Sequence, residues 1–473
     1  MRRALWLTSL IVACLAVIIA GSAPAAPRPS AITQEQQKDL SMTIYNGNLG
    51  LVKDVRELQL PVGTHEVKFM DVASQIDPTT VHLKSLSDPV GIRILEQNYE
   101  YDLLNPQKLL DKYVGKKVKL LTADGNPIEA LLLSNNGGPI YQINGQIHLG
   151  YPGRVVLPEL PEDLIPRPTL VWLLQTGTAR PQRVEASYLT SGITWKADYV
   201  VVLNAKDTGG DLSGWVTIDN KSGATYPDTA LKLVAGDVHR APSRQELRAV
   251  MEAAGKVAAA PRPQFQEESF FEYHLYSLQG RTTIKQNQTK QISLLDAPDI
   301  AIKKELRFYG ASQYYRSQLG TPISNQKVGV FLEIENTDKH RLGIPLPKGT
   351  VRVYKASADK SLQFIGEDVI DHTPKDEKIQ IKMGEAFDVV GERTQRDWKK
   401  IAWNLYETEW DVELRNHKNE DAEVTIIEPV PGDWEVVKNS HPYSKVEAHT
   451  LQYVVKIPRD GKVTVNYRVR MRW

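Results

Sequence analysis

Histidines, carboxylates and tryptophans are the side chains in this 473-residue sequence with chemistry to offer, so their spacing is the first thing to read. The ten histidines are scattered, without a pair at helical ligand spacing and without His-Glu-x-x-His, so no metal ligand is assigned and no metal or other cofactor is expected. No glycine-rich loop opens a helix to cradle phosphate, and no Gly-x-Ser-x-Gly elbow presents a nucleophile, which leaves no catalytic residue to name. Glycosidases position their two acids by fold rather than by motif, and Asp198, Asp219 and Asp237 form the one set that such chemistry could use. Each of the three also reads as an outward strand residue or a turn former, and that is the preferred reading. Aromatics crowd at Trp398, Trp403, Tyr406, Trp410 and Trp434, and flat rings are the usual platform for a sugar. Trp403 shares parity with Ile401 and Leu405, and Trp410 with Val412 and Leu414, which places both on core faces. Trp398, set between Asp397 and Lys399, is the ring expected at the surface and the single candidate ligand contact.

The elements that must hold these residues begin with a leader. Arg2 and Arg3 precede an apolar run from Ala4 to Ala20, and Ala23-Pro24-Ala25 supplies small residues for a signal peptidase, so residues 1–25 are expected to be removed on export to the periplasm or cell surface. Loss of two arginines takes the formal charge from +1 to about −1, and a neutral chain lacks the basic face that nucleic acid requires. The only cysteine, Cys14, lies inside the leader, so the exported chain has no disulfide and no thiol nucleophile. Ile11-Val12-Ala13-Cys14 also has the shape of a lipoprotein cleavage site, which makes a lipid anchor on Cys14 the alternative. No later segment is apolar for long enough to span a membrane as a helix.

Short alternating runs and turn dipeptides recur along the rest of the chain, the pattern of an all-β protein built from antiparallel β-sandwich modules. Residues 26–105 read as an N-terminal β domain, most simply an antiparallel meander, with strands at 42–45, 49–55, 64–70 and 80–84. After a short helical passage, residues 106–158 show strands at 116–121, 129–134, 140–143 and 146–149. Asn144-Gly145 supplies a two-residue turn, and the unit suggests a small SH3-like or Sm-like barrel serving as a structural insertion. Residues 159–320 form the next β domain, interrupted at 241–268 by a segment with one short helix and an Ala/Pro-rich linker. Residues 321–473 read as an immunoglobulin-like sandwich, since Leu451, Tyr453, Val455 and Ile457 alternate, Pro458-Arg459-Asp460-Gly461 turns, and Val463, Val465, Tyr467, Val469 and Met471 alternate again.

The most informative stretch runs from Tyr188 to Val238. Ile193, Trp195, Ala197, Tyr199, Val201 and Leu203 fall on one strand face, and Val216 and Ile218 occupy a face of the next. Asn220-Lys221-Ser222-Gly223 turns before Leu231, Leu233 and Ala235 resume the pattern. This segment resembles the bacterial domain of unknown function 4139 family, which includes the mucoidy inhibitor A-like group, and the resemblance extends over roughly residues 168–473. That group carries a long coiled coil where this chain has the barrel-like unit, so a role resting on the coiled coil does not transfer. The resemblance implies an association with exopolysaccharide and no settled activity. The resulting expectation is an exported, non-catalytic envelope protein that binds or organises an envelope protein or a polysaccharide. The alternative is a carbohydrate-active hydrolase or lyase using paired carboxylates.

Overall fold

The computed structural model describes residues 30–100, 105–159, 167–236, 265–270 (backbone only), 273–320, 322–357 and 359–473. The leader with Cys14, Asp237 and most of the 241–268 segment lie outside the described residues. Strands dominate, arranged in five sheets, and among the described residues the single α-helix is Pro106–Lys112, begun by Asn105, whose side chain accepts from the Lys108 N–H. No helix of the described residues is long and apolar enough to cross a membrane.

Alternation works as expected in the signature segment. Ile193, Trp195, Ala197, Tyr199, Val201 and Leu203 are all buried, and so are Val216, Ile218, Leu231, Leu233 and Ala235. The strand Ile193–Leu203 lies in a five-stranded sheet, antiparallel to Gly209–Asn220 and parallel to Gly349–Ala356. Its inward face joins a first core shared with a seven-stranded and a four-stranded sheet.

The antiparallel meander expected for residues 26–105 is not what forms. Gln37–Tyr45 and Leu49–Leu58 make a hairpin in the seven-stranded sheet, whereas Gly63–Met70 leaves for the four-stranded sheet, where it pairs parallel with Ser30–Ile32 and antiparallel with Thr169–Thr176. Gln37–Tyr45 also pairs parallel with Tyr226–Ala235, a contact across some 190 residues that local pattern could not announce. Arg56 is fully buried at the seam between these sheets, ion-paired to Asp54 at 2.7 Å and lying 3.8 Å over the Phe69 ring.

The small unit has the strands read from its turns, and Asn144 and Gly145 take the positive φ angles of 48° and 85° that their turn requires. It does not close into a barrel. Its five strands form an open sheet with Gln146–Leu149 at one edge and Val155–Val156 at the other, around a core of Tyr113, Val118, Leu120, Ala130, Leu132, Tyr141 and Ile143.

Nine strands of the C-terminal part form one continuous ladder that folds back on itself around a second core. Tyr453 and Tyr467, from strands far apart in the ladder, bring their rings to 5.5 Å, and Trp434 Nε1 donates to the Ala448 carbonyl at 2.9 Å across the opening. Gly349–Ala356 and Leu362–Ile370 leave this ladder for the five-stranded sheet. The two cores are stitched by three neighbouring strand runs. Ile302, Ile334 and Ile381 lie in the first core, while Phe308, Val328 and Val389, further along the same runs, lie in the second.

Candidate binding surface

The two described carboxylates of the candidate set, Asp198 and Asp219, do not converge. Asp198 points to the outer face of its sheet, yet it is 6 % exposed, because Thr217 donates to it at 2.7 Å and Arg352 and Lys196 sit at 3.1 and 3.3 Å. Burial pushes its carboxyl up, but the hydrogen bonds from Thr217 and Arg352 and the nearby Lys196 charge outweigh that and hold it below the usual carboxylate range. Local sequence hid this, since Arg352 lies 154 residues away. Asp219 stands opposite Thr194 while Asp198 stands opposite Trp215, a separation of about 13 Å along the strands, beyond the roughly 10 Å within which paired acids share a glycosidic bond. Asp219 is instead engaged by Lys221 at 2.6 Å. Among the described residues no group of His, Cys, Asp and Glu is arranged to hold a metal.

The aromatics do converge, though not as parity suggested. Trp410 is buried as expected, and Trp434 is buried too. Trp403, expected in the core, is 82 % exposed, because with Asn404 it forms the loop between the strands Lys378–Ala402 and Leu405–Asn416, past the end of the core. Trp398, expected at the surface, is half-buried against the second core. A register shift between Lys400 and Ala402 breaks the alternation on which the Trp403 reading rested, and the charges flanking Trp398 do not keep its ring away from the core.

Rings at this strand end form a platform. The Tyr406 ring stacks on Trp473 at 4.7 Å and 11°, and Trp398 meets Tyr406 at 5.8 Å and a tilt of 34°. Lys400 places its ammonium 5.6 Å from the Tyr406 ring, and Tyr406 Oη donates to the Trp403 carbonyl at 3.1 Å, tying loop to platform. Trp473, 45 % exposed, is pinned by its N–H to the Asn404 carbonyl at 3.2 Å. Sequence reasoning missed Trp473, although it continues the parity of Val465, Tyr467, Val469 and Met471 and is therefore the next ring up the same face. Beside the platform opens a cleft of about 240 Å³ lined by Leu405, Asp433, Trp434, Glu435, Arg470 and Arg472 among others.

A charge ladder on the outer face holds these strand ends in place. Arg468 reaches Glu409 at 2.6 Å and Asp397 at 2.8 Å, Arg470 joins Glu407 at 2.7 Å to Glu435 at 2.8 Å, and Lys438 meets Glu409 at 3.0 Å. The hydrogen bond from Lys438, helped by Arg468, draws the Glu409 carboxyl down to about 2. Such a surface offers flat faces for stacking and polar groups at the rim for hydrogen bonds.

A larger cleft of about 610 Å³ lies between the cores. Several of its charges are matched: Lys304 and Lys355 hold Asp207, Lys303 meets Glu305 at 2.6 Å, and Lys378 meets Glu333 at 2.7 Å. Lys206, Lys418, Glu420 and Glu423 of the same lining take no part in these pairs.

Residues 184–473, more than half of the chain, match the family described as Domain of unknown function (DUF4139). No curated protein matches the chain.

Proposed function

Because the chain belongs to the DUF4139 family, whose description assigns no activity, its role has to be argued from the surface it presents, and we propose that it is an exported, non-catalytic cell-envelope protein that binds a polysaccharide through the aromatic platform at its C-terminal end. One observation carries this reading: Trp473 stands partly open to solvent while stacked on Tyr406, which Trp398 also meets, and Trp403 stands open to solvent in the adjoining loop, its carbonyl held by Tyr406. A large ring held rigid before binding loses little conformational entropy when a flat ligand lands on it. The uncharged faces of pyranose rings suit such a platform, and the rim groups Lys400, Asp433 and Arg472 suit sugar hydroxyls. The basic and apolar leader with its Ala23-Pro24-Ala25 site supports export. The resemblance to the exopolysaccharide-associated mucoidy inhibitor A-like group adds to the choice of ligand.

Affinity electrophoresis of the purified protein in gels containing envelope polysaccharides tests the reading. Retardation is expected for the parent chain, and Trp403→Ala with Trp473→Ala should abolish it. Unchanged retardation in the double variant would reject the platform, and no retardation of the parent by any envelope polysaccharide would favour an envelope protein as the partner. Mass spectrometry of the protein from cells tests export: a chain beginning at Ala26 is expected. A lipidated Cys14 would establish the anchored alternative, and an intact Met1 would overturn export.

A further inference from the structure

The small unit offers a second interaction surface that the platform does not involve. Between Glu129 and Arg154 the sequence has no Asp, Glu, Lys or Arg, in a chain that is 24 % charged overall. That uncharged stretch builds the hairpin Ile140–Ile143 and Gln146–Leu149, whose second strand is the edge of the open sheet. Ile147 is 67 % and Leu149 85 % exposed, and both share the outer face of the sheet with Ile140 and Leu131. Sheet edges in soluble proteins are normally guarded by a lysine, a proline, an inward charge or a bulge. Gln146–Leu149 contains none of these and is blunted only by its length of four residues.

The hydrogen-bond phase of this edge is fixed. The Gly150 N–H donates to the Pro139 carbonyl at 2.9 Å, and the two-residue Asn144-Gly145 turn closes the other end. Gln146 and His148 therefore direct their backbone groups to the neighbouring strand, and Ile147 and Leu149 direct theirs outward. We propose that this edge pairs antiparallel with the same edge of a second copy of the chain, about a two-fold axis through His148. In that register Ile147 of each copy faces Leu149 of the other, the four outward backbone groups of each copy find partners, and His148 meets its own copy at a non-hydrogen-bonded pair. Each apolar residue stays on the outer face, and no like charges meet. Self-complementarity of this kind is what an isologous contact requires. The buried area falls well below the roughly 1,200 Å² of a standard interface, so the dimer is weak and depends on concentration.

Disulfide trapping in the full-length chain with Cys14→Ser reads out both the partner and the register. Across a non-hydrogen-bonded pair the Cα atoms lie about 4.5 Å apart, within disulfide range, so His148→Cys should give a covalent dimer under mild oxidation. Gln146→Cys, about four residues from its equivalent, should give at least tenfold less. Adding Leu149→Lys, at a position too exposed to disturb folding, should cut the His148→Cys dimer by a similar factor. Equal trapping at both positions, or trapping indifferent to Leu149→Lys, would overturn the register. A His148→Cys chain whose thiol reacts readily with a small disulfide yet never pairs would overturn the second-copy assignment and leave the edge to a strand from another protein.

Discussion

Arg393→Met is expected to lower the stability of the nine-stranded unit by about 3 to 5 kcal/mol, the range for removing one partner of a buried ion pair. Arg393 and Glu428 are both wholly inaccessible, and Arg393 Nε donates to Glu428 Oε1 at 3.0 Å. Arg393 Nη2 lies 3.0 Å from the same oxygen but at an angle that makes no hydrogen bond, so the pair is not a two-pronged fork. Nη1 reaches Gln326 at 2.5 Å, and the guanidinium lies 3.9 Å over the Phe308 ring. On the acid, Oε2 accepts from Tyr315 Oη at 2.9 Å, and Tyr315 in turn pairs with Tyr467 Oη at 2.8 Å. Methionine keeps a stem against Phe308 but strands a carboxylate in the core with one phenol as donor. Arg393→Met with Glu428→Gln removes both charges and keeps an acceptor for Tyr315, so the double variant should lie within about 2 kcal/mol of the parent. Urea unfolding followed by tryptophan fluorescence, with Trp410 6.0 Å from Tyr315 as a local reporter, gives the coupling energy of the cycle. Additive single effects, or an Arg393→Met loss below about 1 kcal/mol, would refute the claim that the two charges hold each other in place.

Trp195→Ala should cost about 3 to 5 kcal/mol, since Trp195 is 3 % exposed, donates from Nε1 to the Val234 carbonyl at 3.2 Å and meets Tyr276 edge-on; thermal melting checks it. Trp403→Ala, out in solvent, should stay within about 0.5 kcal/mol in the same assay. Gly310→Ala should cost about 1 to 3 kcal/mol, because a Cβ there would stand 1.9 Å from Glu428 Oε2, and the loss should shrink once Glu428 is also replaced by alanine. Glu409, drawn down to about 2 from an ordinary 4.5, stabilises the fold fully above about pH 4.5 and loses that contribution as pH falls toward 2. Glu409→Gln should therefore flatten the acid limb of a stability-against-pH curve while leaving its neutral plateau lower.

Period-two alternation made the signature strand legible because Ile193–Leu203 runs without a bulge against its antiparallel neighbour, so parity and burial stay in step. The same rule misplaced Trp403, since parity gives the face of a strand but not its depth, and the register shift near Ala402 resets even the face; Trp398 was misplaced because charged neighbours in sequence do not fix the burial of the ring between them. The platform was half visible: the crowding of rings was in the sequence, but the Tyr406–Trp473 stack joins strands from different hairpins. Asp198 shows the other limit. Charge beside a strand reads as solvent exposure until the distant partner Arg352 arrives by parallel pairing of Gly349–Ala356. Open versus closed was likewise illegible in the small unit, because closure depends on whether two edge strands meet, and nothing within either strand encodes that.

The three strand runs that pass from one core into the other also set how this molecule carries load. A pull separating the cores would run along these runs, so the hydrogen bonds between Ile323–Glu335 and its neighbours Lys303–Tyr309 and Lys378–Ala402 would be strained together in shear. Bonds sheared in parallel resist far more force than bonds peeled apart one by one, and the cross-strand pair Lys378–Glu333 adds to that resistance at the joint. The junction behaves as a beam, stiff along its length, with bulges beside Gly329 and Gly384 setting its curvature. A tug on the tryptophan end would thus reach the first core nearly undiminished, as tension in a strut does.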